Sequence, residues 1–492
     1  MPRPASLFAL LLILFPFTAA HAQSPLSPAQ RQHEAAILES ALRNLHPGLY
    51  RYNSPERIDS LFAALRADLE GAESTGDYFI QLAQLTTELR CGHTFPNPYN
   101  QPAAVQEVCF STGRLPLLWK VVDGEFIVTH LLADGLPLAP GDELHAINGT
   151  PAAAIRDSLL TVSRTDGTRG QARQLNNLSL YSADADSSNY ALFDVYFPLF
   201  FPVAFAADSF LLSYLPYGAA EVRSVRVTAL TPGQRHRAYA RRYGPVPTGE
   251  AGWQFRYPEP ERAYLKLSDF FVWTWQRDYR VFLDSVFAVL AERQTATLVV
   301  DIRGNEGGSG GARDDVLRYL IDRPVGCANP RRDLFRSLAI PDSLLPYLET
   351  YQPGLLQPRD PARYPRTAEG LYRANGDGPC EPLQPREDRY RGEIFLLTDA
   401  RNASASFVLA DRLRESGNAT LVGEPTGGNR QGLNAGLHVF LRLPHSGMEI
   451  DVPLLWQATT DPRPEGGVVP DIVVQETAGD IAAGRDAALA DQ

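Results

Sequence analysis

The chain has 492 residues, 44% of them hydrophobic and 21% charged, which is ordinary globular usage with ample material for more than one core. That composition excludes a disordered tail, a collagen and a coiled coil, and at roughly 150 residues per domain the length suggests about three domains. Lys+Arg number 46 against 57 Asp+Glu, a net charge of −11, which argues against nucleic-acid binding through phosphate neutralisation and against docking on anionic lipid.

Residues 1–22 read as an export leader. Arg3 is the only charge ahead of the apolar run 7–20, and Ala20-His21-Ala22 fits a small-x-small cleavage pattern. The run contains Pro16 and is short for a span of about 20 residues. The mature protein is therefore expected to be exported, periplasmic or secreted, without a membrane span; an uncleaved anchor is the alternative. In such a compartment the four cysteines Cys91, Cys109, Cys327 and Cys380 are candidates for disulfides. Three connectivities are open, and proximity along the chain favours Cys91–Cys109 and Cys327–Cys380. Zinc is less favoured, because no Cys-x-x-Cys occurs.

Residues 23–110 read as a helical region. Apolar residues recur at three- and four-residue spacing over 29–45, 58–69 and 77–89, with Asp77 as the expected cap of the third helix. Cys91-Gly92-His93-Thr94-Phe95-Pro96 then breaks the pattern. Residues 111–165 are β-rich: 117–121 and 125–131 flank Asp123-Gly124, a hairpin signal. The stretch Pro140-Gly141-Asp142-Glu143-Leu144-His145-Ala146-Ile147-Asn148-Gly149 resembles a PDZ domain of the bacterial type, with a helix expected over 151–160. PDZ domains hold a peptide terminus on backbone N–H groups of an apolar-Gly-apolar loop. Here Leu115-Pro116-Leu117 stands nearest that position, and proline has no N–H. A spacer role and a peptide-binding role both remain open.

Residues 166–260 read as a connector. It holds an aromatic run at 190–205, suited to covering a core or a groove, and an alternating strand at 222–230. Residues 261–475 are the most regular. Strands at 263–267, 298–302, 394–398 and 420–422 alternate with helices at 279–293 and 405–416, an α/β layer pattern. An insertion at 322–390 is long enough to be functional or a lid, and 476–492 forms a tail.

Two strand-to-helix turns carry the chemistry. Asp301-Ile302-Arg303-Gly304-Asn305-Glu306-Gly307-Gly308-Ser309-Gly310-Gly311 could present backbone N–H groups to an anion. It lacks a phosphate-loop Gly-Lys-Ser/Thr ending and a dinucleotide glycine spacing, which leaves an oxyanion hole or a plain turn. Thr398-Asp399-Ala400-Arg401-Asn402-Ala403-Ser404-Ala405-Ser406 could expose a serine nucleophile, or merely cap a helix.

With Val422-Gly423-Glu424-Pro425-Thr426 and Glu465-Gly466-Gly467-Val468-Val469-Pro470-Asp471, these turns occur in an order that resembles the C-terminal-processing and tricorn-type serine peptidases. The resemblance covers about 35–475 and implies a crotonase-like βαβ catalytic domain at 261–475. It implies Ser404 as nucleophile and the N–H groups of Ala405 and of Gly307 or Gly308 as oxyanion donors. It implies a protein or peptide substrate, no cofactor and no metal. The processing branch places a lysine base 25 residues after the nucleophile; that position is Asn429, and no lysine lies in 404–492. The tricorn branch instead implies His93 as base, with His46 as competitor. Imidazole titrates where a base near neutral pH is needed. Glu465 matches that branch's glutamate. Gly92 stands where its serine would be, so Thr94 or Glu465 is expected to orient His93. The alternative is a catalytically silent relative that binds an apolar ligand or a peptide.

Overall fold

Three serines start the N-terminal helices Pro28–Leu45, Pro55–Glu70 and Thr75–Glu88. Ser27, Ser54 and Ser74 each accept a hydrogen bond from a first-turn amide, one of the N–H groups that a helix leaves unpaired at its start. Asp77, expected as the cap, lies inside the third helix. Its carboxylate reaches back to the Ser74 amide at 2.9 Å and completes a capping box. The structure is a computed structural model and describes residues 26–110, 113–182, 190–202, 208–326, 331–374 and 381–490. The expected leader at 1–22 and the pair Cys327 and Cys380 lie outside the described residues. Among the described residues no helix is long and apolar enough to cross a membrane.

The β-rich region forms an antiparallel sheet in the order Leu117–Val122, Glu125–Leu131, Glu143–Ile147, Ser209–Leu215, Arg223–Thr228. Its last two strands come from the stretch expected to be a connector. They are drawn in because alternate residues of Ser209–Leu215, namely Phe210, Leu212 and Tyr214, are buried. The aromatic run supplies the helix Leu192–Phe200, whose Phe193 packs edge-on to Trp119 with ring centroids 4.7 Å apart. The Leu115-Pro116-Leu117 segment is already engaged. Arg114 and Leu230 exchange backbone hydrogen bonds, and the Leu132 amide donates to the Pro116 carbonyl.

The catalytic-type region is a second sheet in the order Trp253–Glu259, Arg262–Leu267, Thr297–Asp301, Glu393–Thr398, Thr420–Gly423, Ile472–Val473. Every pair after the first hairpin is parallel. Helices Tyr279–Glu292, Gly310–Leu320 and Ser404–Ser416 supply buried residues to its main core. The 322–390 insertion is not a free lid. Its strand Arg331–Phe335 pairs with Trp456–Thr459, and Leu348–Glu349 pairs with His438–Arg442.

One core cluster joins the N-terminal helices to the hairpin His438–Arg442/Glu449–Pro453. At its edge the fully buried Glu34 accepts hydrogen bonds from the His445 and Ser446 amides and from the Tyr78 hydroxyl. The two ends of the chain are thereby fixed to each other.

Asp194, on the aromatic helix, is buried between Arg235 and Arg114. The Arg235 guanidinium grips both carboxylate oxygens, and Arg114 Nε stands 3.6 Å away. Removing the negative charge takes away the carboxylate that both buried guanidiniums share. Asp194→Asn is therefore expected to lower unfolding free energy by about 3–5 kcal/mol. Urea denaturation of the two proteins checks this, and a loss under about 1 kcal/mol would mean that the cluster is solvated.

Candidate active site

In an open parallel sheet the loops at the carboxyl ends of the strands cluster on one edge. Strands Thr297–Asp301 and Glu393–Thr398 are neighbours in register, so the two turns picked out in the sequence meet there. The Gly-rich turn is held by Asn305. Its side chain donates to the Leu267 carbonyl and accepts from the Gly307 amide at 2.8 Å. Asn402 ties the turns together by donating to the Ile302 and Asn305 carbonyls. Ser406 is fully buried and donates to the Asn305 carbonyl at 2.6 Å; it is a pin between the loops.

Ser404 differs. It has φ +52, a region that non-glycine residues rarely occupy and that marks strained functional turns. It opens the helix Ser404–Ser416, whose first-turn amides, Ala405 included, have no carbonyl four residues back inside the helix. Gly307 (φ +113) runs against this turn, and Gly308 (φ +131) against the Phe270–Phe271 backbone. A Cβ on Gly307 would stand 2.8 Å from Ser404 Cβ and 2.9 Å from the Ala405 nitrogen, and one on Gly308 only 2.4 Å from the Phe270 backbone. Of the two amides named as donors, that of Gly307 is already bonded to Asn305. Gly308 lines the cavity with Ser404 and is the better placed of the pair.

That cavity, about 290 Å³, is also lined by His93, Asp166 and Arg164. The sequence brings His93 from the far end of the chain, on the loop after Thr75–Glu88. This loop is bound to residues 166–167 twice. The Gly92 amide donates to Asp166 Oδ1 at 2.9 Å, and the Gly167 amide donates to the Arg90 carbonyl at 2.9 Å. His93 Nδ1 has no hydrogen-bond partner. Burial holds the His93 imidazole below its ordinary value; Asp166 opposes this, while Arg164 and Arg173 add to it.

Asp166 was not picked out in the sequence, where it is one Asp-Gly among several. The signal lies at Gly92: a Cβ there would stand 2.7 Å from Asp166 Oδ2. The glycine that replaces the expected serine makes room for a carboxylate. Glu465 does not reach the imidazole. Both its oxygens take hydrogen bonds from Thr168, so it braces the loop that carries Asp166. Asn429 braces the same loop, donating to the Tyr52 hydroxyl at 2.9 Å and to the Asp166 carbonyl at 3.4 Å. Thr94 is bonded to His46 Nε2 at 3.0 Å, not to His93. His46 is fully buried, does not line the Ser404 cavity, and is pushed down to about 3 chiefly by burial. The sequence has two lysines. Lys120 is bonded to Glu424 and Glu476, and Lys266 to Asp301 and the Arg303 carbonyl; neither lines the cavity.

The expected Cys91–Cys109 bridge is absent: both are buried free thiols. Cys109 faces the N-terminal core, whereas Cys91 faces Thr94 and Asn434. Nearness in sequence does not bring them together, because the helix Ala103–Phe110 aims its thiol into a different layer. Burial pushes the thiols up, Cys91 to about 11 and Cys109 to about 12. Among the described residues no three His, Cys, Asp or Glu side chains converge as a metal site would require.

Residues 261–474 match the family described as Peptidase family S41. The segment carrying both turns is thus of the peptidase class whose motifs the sequence resembles. Across nearly the whole chain the fold is similar to that of two solved structures of one protein. One is mature CPAF complexed with lactacystin, with TM-score 0.59 and 15% identity over 93% of this chain and 95% of that one. The other is mature CPAF, with TM-score 0.58 and 16% identity over 92% and 94%. No curated protein matches the chain.

Gly92→Ala tests the contact with Asp166. The new methyl displaces the end of a side chain, so the fold should survive with Tm changed by at most a few degrees. Peptide hydrolysis should fall about tenfold or more, the cost of losing one hydrogen bond to a charged group. Steady-state kinetics beside a thermal melt check this; unchanged kcat/KM would remove Asp166 from any part in catalysis.

Proposed function

We propose that the protein is an exported serine peptidase in which Ser404 attacks the scissile carbonyl, His93 takes and returns the proton, and the amides of Gly308 and Ala405 hold the oxyanion. The observation that carries this reading is that Ser404, in its strained turn, and His93 line one cavity although 311 positions apart in the chain. The strained turn sets Ser404 at the start of its helix, and helix-start amides suit a developing negative charge. Asp166, rather than Thr94 or Glu465, is the group that favours the imidazolium formed when the proton arrives. The 117–228 sheet is read as PDZ-like, in a spacer role, since its loop at Pro116 is engaged by its own chain.

The rival reading is a silent binder of an apolar ligand or peptide. Keeping a strained serine, with its backbone cost of order 1–3 kcal/mol, has no purpose in a binder. A fluorophosphonate probe separates the two: native protein is expected to be labelled at Ser404, and Ser404→Ala to be unlabelled with a nearly unchanged melting curve. Absence of labelling, with an active serine peptidase as control, would favour the binder.

The pH profile tests the base. Only neutral imidazole can accept the Ser404 proton. Because burial lowers the His93 value, the neutral form persists to lower pH, and the acid limb of kcat/KM should lie below about 6.5. Asp166→Asn removes the charge that raises this value, so the limb should move further down while kcat falls. His93→Gln should cost several orders of magnitude in kcat, and Asn429→Ala much less. A limb above 6.5, or near-native turnover by His93→Gln, would show that another group is the base.

A further inference from the structure

Arg164 stands at the join between the Ser404 cavity and a second cavity of about 540 Å³, and it lines both. Its guanidinium lies over the Phe95 ring, 3.5 Å from the centroid, which fixes the plane of the fork. Its carbonyl accepts from the Asn177 side chain at 3.1 Å, so its main chain is anchored. Yet its Nη1 is buried and has no hydrogen-bond partner.

The neighbouring charges do not satisfy it. Glu306 is occupied by two other arginines, Arg173 at 3.2 Å and Arg401 at 2.7 Å. Asp166 accepts from the Gly92 amide. Asp451 feels the Arg164 charge, but burial pushes its carboxyl up to about 7, and its Oδ1 is likewise unpartnered. Three guanidiniums, Arg164, Arg173 and Arg401, line the joined cavities with the carboxylates of Glu306, Asp166 and Asp269, and Arg164 Nη1 is met by none of them. A buried donor without a partner is costly, and a charge-assisted bond to an incoming carboxylate would relieve that cost.

We infer that Arg164 is a specificity-determining residue that selects peptide substrates carrying an acidic side chain close to the scissile bond. The inference rests on the peptidase reading and names a substrate class for the same site. An Asp or Glu side chain fits better than a chain terminus. The groove continues past Arg164 into the larger cavity, walled by Tyr190, Leu192 and Tyr196, so the substrate chain has room to run on.

The test uses the full chain and pairs of internally quenched peptides that differ only by Glu against Gln at each position around one cleaved bond. At one position the Glu peptide should be favoured about tenfold or more in kcat/KM, mostly through KM. That ratio should fall toward one in Arg164→Gln. Arg164→Glu should turn the preference toward the matching Lys peptide. Each peptide is also run with an amidated end; a preference that follows the free terminus instead of the Glu would overturn the side-chain assignment. The wild-type ratio needs no variant to fold. Cleavage of all peptides with Glu/Gln ratios near one would overturn the inference and leave the peptidase reading standing. If no peptide is cleaved, the peptidase reading fails instead. Binding then decides the inference separately: Ser404→Ala should still bind the Glu peptide more tightly than the Gln peptide by calorimetry, and equal affinities would overturn it.

Discussion

The site depends on one close approach of backbones. Gly307 lies against Ala403, Ser404 and Ala405, and Gly308 against Phe270 and Phe271, so tightly that a single added Cβ on either would overlap main-chain atoms. Such contact requires the two loops to leave adjacent parallel strands in register, as Thr297–Asp301 and Glu393–Thr398 do. It also requires every buried polar group at the crossing to be bonded, since an unpaired one in so dry a place is costly. Asn305, Asn402 and Ser406 meet that demand with their side chains. What remains unpaired by the helix itself is what an oxyanion needs: amides at the start of Ser404–Ser416, beside a glycine whose amide borders the cavity.

The proposed base, His93, lies 311 positions before Ser404, so the fold must bring distant parts of the chain to one cavity. It does so by making the N-terminal helices and the C-terminal hairpin parts of one core, with Glu34 capping amides of the hairpin turn. The parallel sheet alone builds the turn that carries Ser404. The shared core between the N-terminal helices and the hairpin brings His93 to the same cavity. The two functions are separated in the hydrophobic bookkeeping of the protein: the sheet that presents Ser404 buries its own cluster, distinct from the one that carries His93.

Much of this was legible in the sequence, and what was not has a physical pattern. The α/β region, the three N-terminal helices and both loops were readable because periodicity and turn residues are local signals. Ser74 was missed in favour of Asp77 because both halves of a capping box look like caps until the first turn is seen. The strands Ser209–Leu215 and Arg223–Thr228 were divided from their sheet because a pairing across 60 residues leaves no local mark. The thiols failed for the opposite reason: nearness in sequence was taken for nearness in space.

Asp166 shows most clearly how a residue of the candidate site escapes sequence reading. Its role is set by a partner 74 positions away, and its only trace was an apparent defect, a glycine where a serine was expected. In the structure that glycine is a vacancy with an occupant. A serine at position 92 would place its Cβ on the carboxylate; a glycine lets the carboxylate come to the loop and take its amide. The carboxylate thus shares a cavity with the imidazole and acts on it through its charge, without a hydrogen bond to Nδ1. Glu465 keeps its place but acts at one remove, holding Thr168 and so the turn that aims Asp166. A substitution at one point of a catalytic loop and an acid on another loop are consequently one feature, because the volume removed by the first is the volume filled by the second.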